Sequence, residues 1–311
     1  MTKRLGMVMF VVLMMVATVQ AAQVGDQSTH TAGGVDFNMR LAPAATFPTG
    51  IEGIPDDERR PWEPQPGTAT VDTPFWIAET VVTYELWYTV RQWALRNGYT
   101  FANAGMEGST TGGGSYPSYK SIGRAPSSRR NEPVTMVSWR DSIVWCNALS
   151  EMVGLDPVYT HNSAVIKDAT NVTACDNAVQ EERNGFRLPT SDEWELAARY
   201  NDGQAWTPGH YASGASANTG NAAATQAVAW YSANSVGKTQ SVGTLAANAL
   251  GVYDMSGNVW EWTFTRGGSG RVNRGGGWDN TAGDLRVGRG GSSSPSRVIF
   301  SDGFRFVRTQ F

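Results

Sequence analysis

Cysteine is nearly missing from this sequence. Cys146 and Cys175 are the only two in 311 residues, which excludes a fold stapled by several disulfides. Cys146 stands in an apolar, helical context. A free buried thiol is the favoured reading there, with a bridge to Cys175 left open. Histidine is scarce too. His30, His161 and His210 are the full set, and their spacing puts no two on one helical face, which argues against a histidine-held metal. No charge sign dominates: 25 basic side chains stand against 28 acidic ones, for a net −3. That removes the electrostatic case for nucleic acid or an anionic membrane as partner. Beyond the first stretch no long apolar run occurs, so no further transmembrane segment is expected.

What is present is glycine, 35 residues, and tryptophan, 12 residues. The first implies many turns. The second implies a core filled largely by aromatic burial. The first residues read as a secretory signal over 1–21. Lys3 and Arg4 precede an apolar run, and Val-Gln-Ala at 19–21 is a small-residue cleavage site, with cleavage after Ala21 or Ala22. The run has about 15 apolar residues, short of the roughly 20 of a spanning helix. No cysteine follows it to accept a lipid. The expectation is an exported protein, periplasmic or on the cell surface, with no membrane insertion once the signal is removed.

Residues 22–70 are polar and rich in Pro, Gly, Thr and Asp, and read as an irregular arm or linker. Order is expected from about 71 to 311. "FWIAETVVT" has strand character. Thr83 caps a helix with apolar residues at 86, 87, 90, 93 and 94 and a stop at Gly98. Residues 103–130 read as a Gly/Ser-rich loop. Ser138, with Asp141 three residues on, opens a second helix that Gly154 ends. Thr190 and Glu193 form a T-x-x-E capping box for a third. After Tyr200 short strands and loops are expected, with no further helix. The fold class is α+β, with helices early and an irregular β-rich region late.

Six blocks carry a family resemblance, in this order: "FWIAETVVTYELWYTVRQW", "PVTMVSWRDSIVWCNALSEMVGL", "FRLPTSDEWELAARY", "GVYDMSGNVWEWT", "RVNRGGGWDN" and "GFRFVR". Together they resemble the formylglycine-generating-enzyme (sulfatase-modifying factor) type of domain, an elaborated C-type lectin-like fold, over about 71–311. Enzymes of that family oxidise a substrate cysteine with a cysteine pair of their own. By register those two places fall at about Asn280 and Leu285 here, and no cysteine follows Cys175. Without a thiolate no redox-active sulfur or copper–thiolate site is available. The resemblance therefore implies the scaffold without the catalysis and without a redox cofactor. The family also holds a structural calcium at the turn in "YDMSGNVWEW". Carried across, its ligands are the Asp254 and Glu261 side chains and the Gly257 and Val259 carbonyls, and hard oxygen donors of this kind suit Ca²⁺. The other reading is a plain turn whose acids bind backbone N–H groups, and both stay open. Trp260 and Trp262, two apart, are favoured as core.

The stretch from 278 to 303 has a further resemblance, to the variable proteins of diversity-generating retroelements. In those systems adenines in a C-terminal cassette are rewritten, mainly in asparagine-type codons, which cannot yield Lys, Glu, Gln, Met or Trp. None of these five occurs between Asp279 and Asp302. The resemblance implies a ligand-binding surface made of Asp279, Asn280, Asp284, Arg286, Arg289, Ser292, Ser293, Ser294, Arg297, Val298, Ile299, Phe300, Ser301 and Asp302, with Trp278 as scaffold. Val298, Ile299 and Phe300 would be exposed apolar anchors rimmed by Arg and Asp. A buried strand is the alternative for those three, and exposure is favoured on the resemblance. The expected role is a non-catalytic, receptor-like contact with an unknown protein or cell-surface ligand. The alternatives are an oxidase of the formylglycine-generating type and a calcium-dependent sugar-binding lectin, although no lectin-type Glu-Pro-Asn run is present.

Overall fold

The computed structural model describes residues 21–53, 63–110, 122–203 and 205–311. The expected signal, apart from Ala21, lies outside the described residues.

The described parts of the segment read as an irregular arm, 22–53 and 63–70, carry four strands. β1 (Gln27–Ala32) and β2 (Val35–Ala42) form an antiparallel hairpin with Ala32 opposite Val35. Gly33 and Gly34 supply the two-residue turn at φ +58° and +86°, a pair of left-handed conformations that glycine adopts without steric cost. β3 (Ala45–Thr49) and β4 (Gly67–Val71) pair antiparallel in turn. β5 (Phe75–Ala78) takes β2 on one edge and the strand Val307–Thr309 on the other. The described residues of 22–70, namely 22–53 and 63–70, are thus part of the domain, and the linker reading is corrected for them. Their composition is polar because alternate side chains face water. The inward ones, Ala32, Met39, Leu41 and Phe47, are buried in the common core.

α1 (Tyr84–Arg96) begins at Thr83, whose side chain accepts the Leu86 N–H, and gives Leu86, Trp87, Val90 and Ala94 to the core. β6 (Met106–Glu107) pairs with β7 (Val134–Thr135) inside the loop-rich region that follows. α2 (Trp139–Met152) starts with the expected box: Ser138 accepts from Asp141 N, and the Asp141 carboxylate accepts from Ser138 N. The rings of Trp87 on α1 and Trp145 on α2 stack at 6.1 Å, and Phe304 meets both edge-on. Among the described residues six tryptophans are fully buried, at positions 87, 139, 145, 194, 262 and 278, so aromatic burial does fill much of this core.

β8 (Tyr159–His161), β9 (Ala164–Val165), α3 (Val172–Asp176) and β10 (Val179–Gln180) make a small side layer. α4 (Ser191–Arg199) opens on the Thr190–Glu193 capping box. α5 (Ala222–Gln226) and a 3-10 turn at Ala282–Leu285 follow, where no helix was expected. At about one turn each they carry no periodicity to read.

The last sheet positions the candidate site. β11 (Trp260–Gly267) pairs antiparallel with β12 (Gly270–Arg274), which pairs with β13 (Gly290–Ser293). β14 (Asp302–Gly303) runs parallel to β11 on its other edge, with Asp302 opposite Trp260. β15 (Val307–Thr309) then leaves this sheet to close the one containing β5. A buried charge relay holds α4 to β12: Glu195 lies 2.7 Å from Arg199 and 2.6 Å from Arg274, with all three inaccessible to solvent.

Candidate ligand-binding face

The chain leaves β12 after Arg274, returns to the sheet as β13 at Gly290–Ser293 and again at Asp302, so the segment between is an excursion fastened at both ends and in its middle. Gly276 starts it at φ +74°, where a Cβ would meet the Asp284 carbonyl oxygen at 2.9 Å. Asn280 belongs to the frame. Its Oδ1 accepts from Trp260 Nε1 at 2.7 Å and from Gly277 N at 2.8 Å. Trp278 donates its N–H to Asn258 O, while its own carbonyl accepts from Ser235 Oγ. Ser301 is buried, and its carbonyl accepts Trp260 N–H at 2.8 Å. These bonds fix the backbone on which the remaining side chains stand.

Of the residues expected on this surface, Asp279, Ser294 and Arg297 are exposed. Val298, Ile299 and Phe300 are half-buried, neither shut inside nor standing free. The Ile299 carbonyl accepts the N–H of Met136, a residue at φ +58°, and the Phe300 ring lies 5.7 Å from that of Trp278. Asp284 and Arg286 are half-buried. Arg286 Nε donates to Thr219 Oγ1, and Asp284 Oδ1 lies 3.4 Å from Arg289. Arg289 also pairs with Glu63 at 3.1 Å. Ser292 is turned onto the Gly267 carbonyl, and the mostly buried Ser293 accepts from Arg297 Nη1 at 2.8 Å.

Ser293, Ser301 and Asp302 therefore correct the expectation of a wholly solvent-facing strip. Asp302 is 1% exposed because the parallel pairing with β11 draws it into the sheet. Arg297 Nε lies 3.2 Å from Oδ2 but off hydrogen-bonding alignment, and among the described residues neither carboxylate oxygen accepts a hydrogen bond. Burial pushes its carboxyl up to about 7, with Arg297 pulling down and Asp279 pushing up. Trp278 is 1% exposed, as scaffold should be, yet its Nε1–H has no acceptor among the described residues.

Sequence reasoning missed Glu63, which reaches the face from the supposed linker, and the exposed Thr281 and Ser296. It also missed the loop around Ser235, whose neighbour Val236 is 85% exposed at φ +56°. A β-branched residue in that conformation is strained. No sequence signal marks any of these, since each depends on contacts distant in the chain. Of the tryptophan pair, Trp262 is core and Trp260 is half-buried, spending its indole N–H on Asn280.

The expected calcium turn holds other contacts. Both Glu261 oxygens accept from Arg305, at 2.6 and 2.7 Å, and Oε2 also accepts from Trp194 Nε1. Asp254 accepts the Gly243 N–H, and burial pushes its carboxyl up to about 6. Calcium takes six to eight oxygens, preferably charged ones. Here the Glu261 carboxylate is already neutralised by Arg305, and Asp254 is engaged with the Gly243 N–H. Asp254, Gly257, Val259 and Glu261 do not fit the ion and form a hydrogen-bonded turn instead.

No thiol stands near the face. Cys146 and Cys175 are free and buried, and Cys175 donates to the Asp168 carbonyl. Burial raises both thiols, Cys175 to about 12, so neither forms a thiolate readily. Leu285, at one of the places the enzymes give to cysteine, is fully buried. Among the described residues no group of three or more His, Cys, Asp or Glu could hold a metal.

Residues 19–310 match the model of the sulfatase-modifying factor enzyme 1-like domain. The chaperone protein LppX of Paenibacillus barcinonensis is 32% identical over 220 residues, covering 61% of this chain and 75% of that one. Among solved structures, Treponema denticola variable protein 1 superposes with a TM-score of 0.68 at 29% identity, over 91% of this chain and 99% of its own. The structure of CarF gives 0.65 at 26% identity, over 88% and 99%.

Proposed function

Because this chain belongs to the family of sulfatase-modifying factor enzyme 1-like domains, we propose that it has kept the family's scaffold and uses it to bind a partner without covalent chemistry. The scaffold itself is the C-type lectin-like fold, α+β as expected. The contact surface is the face from 278 to 303, and its identity varies between copies under a diversity-generating retroelement. One observation carries this reading. The backbone of the excursion is pinned at Asn280, β13 and Ser301, while Asp279, Ser294, Arg297, Val298, Ile299 and Phe300 keep surface that the core does not use. A rigid frame bearing interchangeable side chains is what recognition by loops requires. The likeness to a protein named for its variability supports it. The curated relative named a chaperone supports a polypeptide as partner. The partner is an exported or cell-surface protein.

The enzymatic alternative lacks its sulfur. Positions 280 and 285 hold Asn and Leu, and the two thiols present are buried. A sugar-binding reading needs a metal with open ligands, and Glu261 is paired to Arg305.

Two tests decide. The DNA around the gene should hold a second copy of the 279–302 segment that differs only at adenines, beside a reverse transcriptase gene; a lone gene removes the variability claim. Incubation with a cysteine-bearing sulfatase peptide, copper and oxygen should leave the cysteine intact. Formylglycine in the product would overturn the binding-only reading.

A further inference from the structure

Two polar groups on the binding face are buried and unsatisfied together, and they are of opposite kind. Asp302 offers two carboxylate oxygens with no hydrogen bond, and Trp278 an indole N–H with no acceptor, among the described residues. Each is 1% exposed. The Phe300 ring lies 5.7 Å from that of Trp278, tilted by 50°, and Phe300 stands two residues before Asp302 in the chain. A native protein rarely leaves such groups bare, so each asks for an explanation. The neighbouring charge makes the requirement specific. The negative charge of Asp279 pushes the Asp302 carboxyl up, and Arg297 pulls both acids down. The cation facing this pair is Arg297, which is 40% exposed, is held by a single bond to Ser293, and approaches Asp302 without alignment. Arg297 sits where a better-placed cation would bind.

Resting on the binding role proposed above, we propose that this face recognises a basic side chain of a polypeptide partner. The incoming guanidinium or ammonium displaces Arg297 from Asp302, and a carbonyl of the same partner segment accepts from Trp278 Nε1. A peptide satisfies both orphans at once, because every basic residue carries a backbone carbonyl a few bonds from its charge. A bare metal ion could answer Asp302 but not the indole donor. An aligned guanidinium makes two charge-assisted bonds to one carboxylate, which the skewed Arg297 does not. Arg297 is thus a place-holder, and its removal should help the ligand instead of hurting it.

The probe is N-acetyl-arginine methylamide, which carries one guanidinium and two carbonyls, compared with its neutral citrulline counterpart. Binding is followed by ¹⁵N-resolved NMR of the tryptophan indole signals in the full chain. The arginine probe should shift the Trp278 indole resonance and bind at least about tenfold more tightly than the citrulline probe, in line with a charge-assisted pair. Arg297→Ala should tighten binding about threefold or more, and Asp302→Asn should weaken it about tenfold. Equal binding of the two probes, or a loss of affinity in Arg297→Ala, overturns the proposal. Arg297 is a surface residue, so that variant remains informative even if Asp302→Asn fails to fold. The two readings fail separately. A partner whose binding is lost with Ile299→Ser and Phe300→Ser, yet is untouched by Asp302→Asn and not displaced by the arginine probe, leaves the binding face standing and removes its cation.

Discussion

Arg305 holds Glu261 in a fork: Nε to Oε2 at 2.6 Å and Nη2 to Oε1 at 2.7 Å, with neither side chain exposed at all. The same guanidinium donates to the carbonyls of Ala78 and Tyr253. One residue thereby ties β5, β11 and the turn before β11. Removing one partner of a buried pair strands the other charge, at a cost of about 3–5 kcal/mol. Arg305→Ala should lose that much in urea unfolding, and Arg305→Lys should recover only part, lacking the fork. The same pairing predicts that calcium leaves stability unchanged. A bound ion at about 100 times its dissociation constant would add about 2.7 kcal/mol, and unfolding in calcium and in chelator should coincide.

Asp302 gives a pH dependence of defined sign. Its ordinary value is 3.8 and its folded value about 7, so between those limits the folded state holds more protons than the unfolded one. Stability therefore falls as pH rises through this window. A shift of about three units corresponds to about 4 kcal/mol at most. Asp302→Asn should be more stable than the parent at pH 8, with the gap narrowing steadily toward pH 4 and closing below it. A gap that does not change with pH would show that Asp302 stays ionised throughout.

The half-buried strip and the aromatic core separate by substitution. Phe304 is fully buried and packs edge-on to Trp87 and Trp145, so Phe304→Ala should cost about 3–5 kcal/mol. Ile299→Ser and Val298→Ser replace half-covered side chains and should each cost under about 1 kcal/mol. Thermal melts of the three variants check this. Losses at Ile299 equal to that at Phe304 would make the strip part of the core.

Residues 27–42 should carry stability, despite their polar composition. Met39 is completely buried on β2, and Met39→Ala should cost about 2–5 kcal/mol. An unstructured arm would lose nothing. Denaturant midpoints with an unchanged slope would assign the loss to the native core.

The helices were legible because their signals are local. Thr83, Ser138 and Thr190 bond to N–H groups three residues away, and Gly98 and Gly154 take the positive φ that ends a helix. The first hairpin also had a local signal, the Gly33-Gly34 pair, but it lay between strands whose outward residues are polar, so the composition read as linker. Asp302 could not be read at all. An Asp before Gly looks like a turn, and it is buried only because β14 docks beside β11, about forty residues earlier in the chain. The Glu63–Arg289 pair is of the same kind. The family blocks led to the scaffold, while the details of the face depend on contacts between segments that no single window contains.

The placement of β15 makes the fold depend on the last few residues of the chain. The strand comes after the 278–303 face yet completes the sheet that begins with β1. A reading frame broken anywhere between 279 and 302 also deletes β14 and β15 and leaves β5 with a bare edge. A chain cut short before Val307 should therefore fail at folding instead of yielding a working but altered surface.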